Sequence, residues 1–201
     1  MSTGGSQSSN QDPWAFGRVA AIVNDGSCDA DELLAAAVCG QQAAGRRVRG
    51  LVAQHADSAE GCAKAMVLVD IDTRDEYLVS QALGRGSAAC RADPQGFALA
   101  SQVLRRALDE APDLVVSNRF GVLEAAGGGF RAELLELISR GLPLLTVVAT
   151  RHLEAWRHFT GWAAELPAEQ AAIDAWLAAA LLADGVAAPF SATAPPTAAH
   201  R

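Results

Sequence analysis

The chain has 201 residues, half of them hydrophobic and 19% charged, with a formal net charge of −7. That size and balance predict one folded domain with a sizeable core and polar ends. The acidic balance, with no basic run to offset it, excludes a general nucleic-acid binder. No stretch approaches the roughly 18 uncharged apolar residues that a membrane helix needs, and the N-terminus has no basic-then-apolar leader pattern, so a cytoplasmic protein with no membrane partner is expected.

Residues 1–17 are mostly Ser, Gly, Gln and Asn and are expected to form a largely disordered tail. A single α/β domain is predicted over 18–184, and 185–201, rich in Ala, Pro and Thr, is expected to be a flexible end. The first predicted strand is Arg18–Asn24. It runs into a loop, Asp25–Asp31, that holds Gly26 and Ser27, and then into a helix ending near Ala44. Asp29 is the expected N-cap, Glu32 completes a capping-box-like pattern, and Gly45 closes the helix. Strand, tight loop and helix N-terminus is the geometry that cradles phosphates in nucleotide-binding folds. This loop, however, carries Asp25, Asp29 and Asp31 and no lysine, so its carboxylates would repel a phosphate unless a cation intervened.

Arg47–Ala53 reads as the second strand and Ala65–Ile71 as the third, with Glu76–Ser80 returning as its hairpin partner. Gln81–Asp93 reads as a permissive loop containing Gly84 and Gly86, and it carries Arg85 and Arg91. Asp93 and Pro94 then start a helix to about Glu110. Asp113–Glu124 is the central stretch. Leu114, Val115 and Val116 form an apolar run typical of a strand buried on both faces, and Ser117, Asn118 and Arg119 fall at its C-terminal edge, where open α/β sheets bind ligands. A helix over Phe130–Arg140, a strand from Pro143 to Ala149, a helix after Thr150 and a last helix over Ala168–Leu182 complete the pattern. Leu153, Trp156 and Phe159 are expected to face the core, and Trp162 to pack beneath the last helix.

Four cysteines occur, Cys28, Cys39, Cys62 and Cys90, without a Cys-x-x-Cys pair. Neither a structural zinc site nor a disulfide is expected in a reducing compartment. Cys39, in an alanine-rich helix, reads as a small core residue. His152 and His158 lack a second His or Cys at ligand spacing, so no metal site is expected.

Three stretches together carry a resemblance: Ser80–Pro94, Asn118–Glu124 with Gly127 and Gly129, and Arg151–Phe159. In order and spacing they resemble an uncharacterised bacterial family often encoded beside molybdate-transport genes. That family in turn resembles a degenerate relative of the P-loop nucleoside-triphosphatases of thermophiles. The resemblance implies a three-layer α/β sandwich with a mostly parallel, P-loop-NTPase-like sheet and one antiparallel hairpin.

In those triphosphatases a strand ends in Asp-Glu-x-Gly-x-x-Glu, and the same slots here hold Asn118, Arg119, Gly121 and Glu124. Asn118 offers a neutral amide oxygen where Mg²⁺ would want an anionic one. Arg119 cannot act as a base. The matching phosphate loop, Asn24–Asp31, has no lysine. The resemblance therefore implies a non-hydrolytic protein with no catalytic residue, which binds a small anion, molybdate or a nucleotide phosphate, and is linked to molybdate homeostasis or molybdenum-enzyme maturation. The candidate ligands are Asn118, Arg119, Arg91, Arg85 and Arg151, with Ser117, Gln81, Gly26 and Ser27 as neutral donors. The four arginines are expected to converge on one sheet edge. Two alternatives are a weak Mg²⁺-dependent triphosphatase, with Asp25, Asp29 or Glu124 carrying the metal, and a docking scaffold for a molybdenum-enzyme or transport partner.

Overall fold

A computed structural model describes residues 17–55, 66–82, 90–161 and 163–182. The expected tails, Arg85, Cys62 and Trp162 lie outside these residues, as do the side chains of Gln81 and Cys90. The element order is β1 (Val19–Asn24), α1 (Ala30–Ala43), β2 (Val48–His55), β3 (Met66–Asp70), β4 (Glu76–Leu78), β5 (Ser80–Ala82), β6 (Cys90–Ala92), α2 (Pro94–Glu110), β7 (Leu114–Phe120), α3 (Val122–Ala125), α4 (Arg131–Ser139), β8 (Leu144–Ala149), a 3₁₀ turn over Thr150–His152, α5 (Leu153–Thr160), β9 (Ala164–Pro167) and α6 (Gln170–Leu182).

Seven strands form one sheet in the order β4-β3-β2-β7-β8-β1-β9. The β2, β7, β8, β1 and β9 neighbours pair parallel, whereas β3 is antiparallel to both β2 and β4. The sheet is thus mostly parallel with an antiparallel flank, as expected. Its two outer strands are short, three residues in β4 and four in β9, the latter ending in Pro167.

Leu114, Val115 and Val116 have no exposed surface, which is why the central strand reads as an unbroken apolar run. One core, beneath α1 and α6, gathers Ile22, Leu34, Val116, Val147, Ile173 and Trp176. The other, beneath α2, α4 and α5, gathers Leu51, Leu104, Phe120, Leu134 and Trp156. Alternate residues of β1, β7 and β8 feed the two cores, so the sheet is the middle of three layers.

Three features of the fold and one residue differ from the sequence expectation. Residues 164–167 form β9 beside β1; four residues with only Ala164 and Leu166 buried leave almost no periodic signal. The stretch read as a permissive loop is bounded by a two-stranded hairpin, β5 with β6, which pairs Gln81 with Arg91. The short helix α3 separates β7 from α4. Cys39 is exposed rather than buried, because α1 turns Leu34, Ala37 and Val38 inward.

β2 pairs with β7 only over Val48–Gly50 and then diverges to follow β3. The Ala53 N–H that would be stranded by this divergence donates to Asn118 Oδ1 at 2.9 Å. On the same sheet face, Ser117 and Thr146 are register partners with no exposed surface, and neither hydroxyl has a hydrogen-bond partner among the described residues. A buried hydroxyl without a partner has lost water and gained nothing. Thr146→Val is therefore expected to leave stability unchanged or raise it by up to about 1 kcal/mol. Urea denaturation checks this, and a loss beyond that size would mean the hydroxyl is bonded in solution.

Candidate functional site

The C-terminal ends of β7 and β8 border a cleft of about 180 Å³. Asn118, Arg119 and Gly121 arrive from β7, Arg151 and His152 from the turn after β8, and Leu68, Phe97, Leu123 and Phe130 form an apolar wall. Two of the four candidate arginines, Arg119 and Arg151, thus share one hollow. Arg91 does not line it: it lies exposed on β6, paired with Gln81 of β5 in a hairpin separate from the main sheet, which corrects the expectation of full convergence. Ser117 sits one residue deeper and is sealed in the core. Gly26 and Ser27 stay on the loop after β1, exposed and outside the cleft lining.

Arg119 is not an open cation. Its Nη2 lies 2.9 and 2.7 Å from the two carboxylate oxygens of Asp31, in the first turn of α1. The Asp31 side chain is only 10% exposed, so this pair ties α1 to the end of β7 rather than floating at the surface. An anion reaching Arg119 has to compete with that carboxylate. Arg151 differs: its Nε donates to His152 Nε2 at 3.1 Å, and no carboxylate pairs with it among the described residues.

The loop after β1 turns its own donors inward. Gly26 N–H donates to Asn24 Oδ1 and Ser27 N–H to Asp25 Oδ1, both at 2.8 Å. These are Asx turns, in which a short polar side chain captures a backbone donor two residues on. The Ser27 hydroxyl and its N–H hold the Asp25 carboxyl below its usual pKa. Asp29 caps α1 by accepting from Asp31 N–H at 3.0 Å and Glu32 N–H at 3.2 Å, as its position implied. Cys28 Sγ donates to the Ala168 carbonyl at 3.5 Å, and Thr150 Oγ1 to the Asn24 carbonyl at 3.2 Å, anchoring the loop to its neighbours.

Glu124 is buried, and both its carboxylate oxygens accept backbone donors: Oε2 from Gly121 N–H at 2.9 Å and Oε1 from Phe130 N–H at 3.0 Å. It closes residues 121–130 into a compact turn. A Cβ at Gly129 would lie 2.0 Å from Oε1, so the glycine there makes room for the carboxylate. The three carboxylates considered for a metal, Asp25, Asp29 and Glu124, are therefore all engaged with main-chain N–H groups.

Sequence reasoning missed the apolar wall and the Asp31–Arg119 pair. The wall residues come from β3, α2, α3 and the start of α4, and each reads as ordinary core in its own segment. The pair joins residues 88 apart, a spacing no local pattern encodes.

A family model described as protein of unknown function, DUF2478, matches residues 19–176. The molybdenum import ATP-binding protein ModC 2 of Bradyrhizobium diazoefficiens is 39% identical over 160 residues, which are 79% of this chain and 18% of that protein. The chain thus spans less than a fifth of the length of this curated relative. The solution structure of a human cancer-related nucleoside triphosphatase shares the fold, with a TM-score of 0.58 over 81% of this chain and 94% of that one, at 14% identity. Among the described residues no helix is long and apolar enough to cross a membrane.

Proposed function

The chain belongs to the family described as protein of unknown function, DUF2478, and on that footing we propose that it is a nucleotide- or oxyanion-binding protein that does not hydrolyse its ligand. The observation that carries this reading is the loop after β1. In the P-loop arrangement that the fold resembles, backbone N–H groups and a lysine hold the phosphates. Here the N–H groups of Gly26 and Ser27 are satisfied by Asn24 and Asp25, and the loop has no lysine. At the strand end, Asn118 spends its carbonyl oxygen on Ala53 and Arg119 faces Asp31. Neither group is placed to hold Mg²⁺ or to activate water.

What remains is recognition. Arg151, Arg119 once freed from Asp31, and the Asn118 amide N–H₂ form a donor set at the cleft. The likeness to part of a molybdenum import ATP-binding protein supports a link to molybdenum handling.

With Mg²⁺ and ATP or GTP, phosphate release is expected to equal that of buffer alone. Turnover that an Arg119→Ala change alters would overturn the non-hydrolytic reading. Calorimetric titration with molybdate, tungstate, ATP, GTP and phenyl phosphate is expected to give heat with at least one, and silence from all five in folded protein would remove the binding reading.

A further inference from the structure

Resting on the anion-site reading above, we propose that the cleft at the ends of β7 and β8 takes a ring-bearing organic anion, its flat body against the apolar wall and its carboxylate or phosphate monoester on Arg151, rather than a bare tetrahedral ion. Three observations converge on this ligand class.

The first is the wall. Leu68, Phe97, Leu123 and Phe130 offer carbon and no donors to most of the hollow. A bare oxyanion seated against it gives up water on that side and finds donors only at the rim. A ring loses nothing on the apolar side and gains burial. Phe97 and Phe130 meet at 5.0 Å between ring centroids with a tilt of 46°, so the wall already contains an aromatic pair.

The second is size. The hollow holds about 180 Å³. A dry cavity of about 150 Å³ accommodates benzene. One aromatic ring with a single substituent therefore matches the space, with the substituent at the polar rim.

The third is charge. Asp31 already opposes Arg119, so the rim does not present two open cations to a dianion. Of the two arginines lining the cleft, Arg151 is the one that no carboxylate pairs with among the described residues. His152 accepts its Nε–H, which leaves the terminal amino groups for one anionic head.

Calorimetry on the full chain, with benzoate against acetate and phenyl phosphate against inorganic phosphate, tests this, and phenol serves as the neutral ring. Each ring-bearing anion is expected to bind at least tenfold tighter than its ring-free partner and than phenol. Arg151→Gln is expected to reduce that affinity at least tenfold. Phe97→Leu is expected to weaken the ring-bearing anions while leaving the ring-free ones unchanged, with thermal melting verifying that each variant is folded.

If inorganic phosphate or acetate binds as tightly as its ring-bearing counterpart, the ring site is refuted and the anion reading stands. If phenol binds as tightly as the anions and Arg151→Gln changes nothing, both are refuted. If no probe binds folded protein, the ring site is likewise refuted. The two carboxylate and phosphate arms decide which head group Arg151 prefers.

Discussion

Gly50→Ala is expected to destabilise the protein by at least about 4 kcal/mol, a large share of the roughly 5–15 kcal/mol that holds a domain folded. Gly50 has φ +124°, and an added Cβ would lie 1.9 Å from the Val116 carbonyl oxygen. The obstacle is the backbone of the central strand, which has no rotamer to change. Gly50 also supplies the carbonyl that accepts Ile71 N–H at 3.0 Å, so a shift of β2 away from β7 disturbs β3 as well. Gly45 provides the control. It has φ +78° with nothing within 4 Å of an added Cβ, and Gly45→Ala is expected to cost about 1 kcal/mol from backbone strain alone. Urea denaturation of the two variants separates strain from collision. Equal stability of both would show that β2 and β7 do not approach as described.

Glu124→Ala is expected to cost on the order of 2–4 kcal/mol, because it strands the Gly121 and Phe130 N–H groups where little water reaches them. The loss is also expected to loosen residues 121–130, which form one side of the cleft, so hydrogen exchange at Gly121 and Phe130 should rise beyond the global change. Glu124→Gln keeps one acceptor but turns an N–H₂ toward the other donor, and an intermediate cost follows. A neutral Glu124→Ala would mean that the carboxylate does not hold this turn.

The sheet was legible where residues are buried on both faces or capped by a distinct residue type. Leu114–Val116, the apolar run before Ala149, and the Asp29 and Asp93 caps all stand where composition and capping chemistry put them. β9 was not legible, because four residues at a sheet edge carry too few buried positions to set a period. The site was half legible. Asn118, Arg119 and Arg151 were found because polar residues at strand ends are conspicuous, and they do line one cleft. What single-sequence reasoning could not supply was pairing at a distance. Sequence places Arg119 at the strand end but not Asp31 against it, and it offers Glu124 as one alternative metal carrier but not the main-chain donors on its oxygens. Cys39 erred for a simpler reason: alanine on every side of a helix hides which face is turned inward.

The two flanks of the sheet have a consequence for how copies of this chain can meet. A strand arriving from outside would find only three residues to ladder with along β4, and along β9 a proline that lacks a donor. Such margins are poor templates for concatenating sheets, so stacking edge to edge into fibrils is disfavoured.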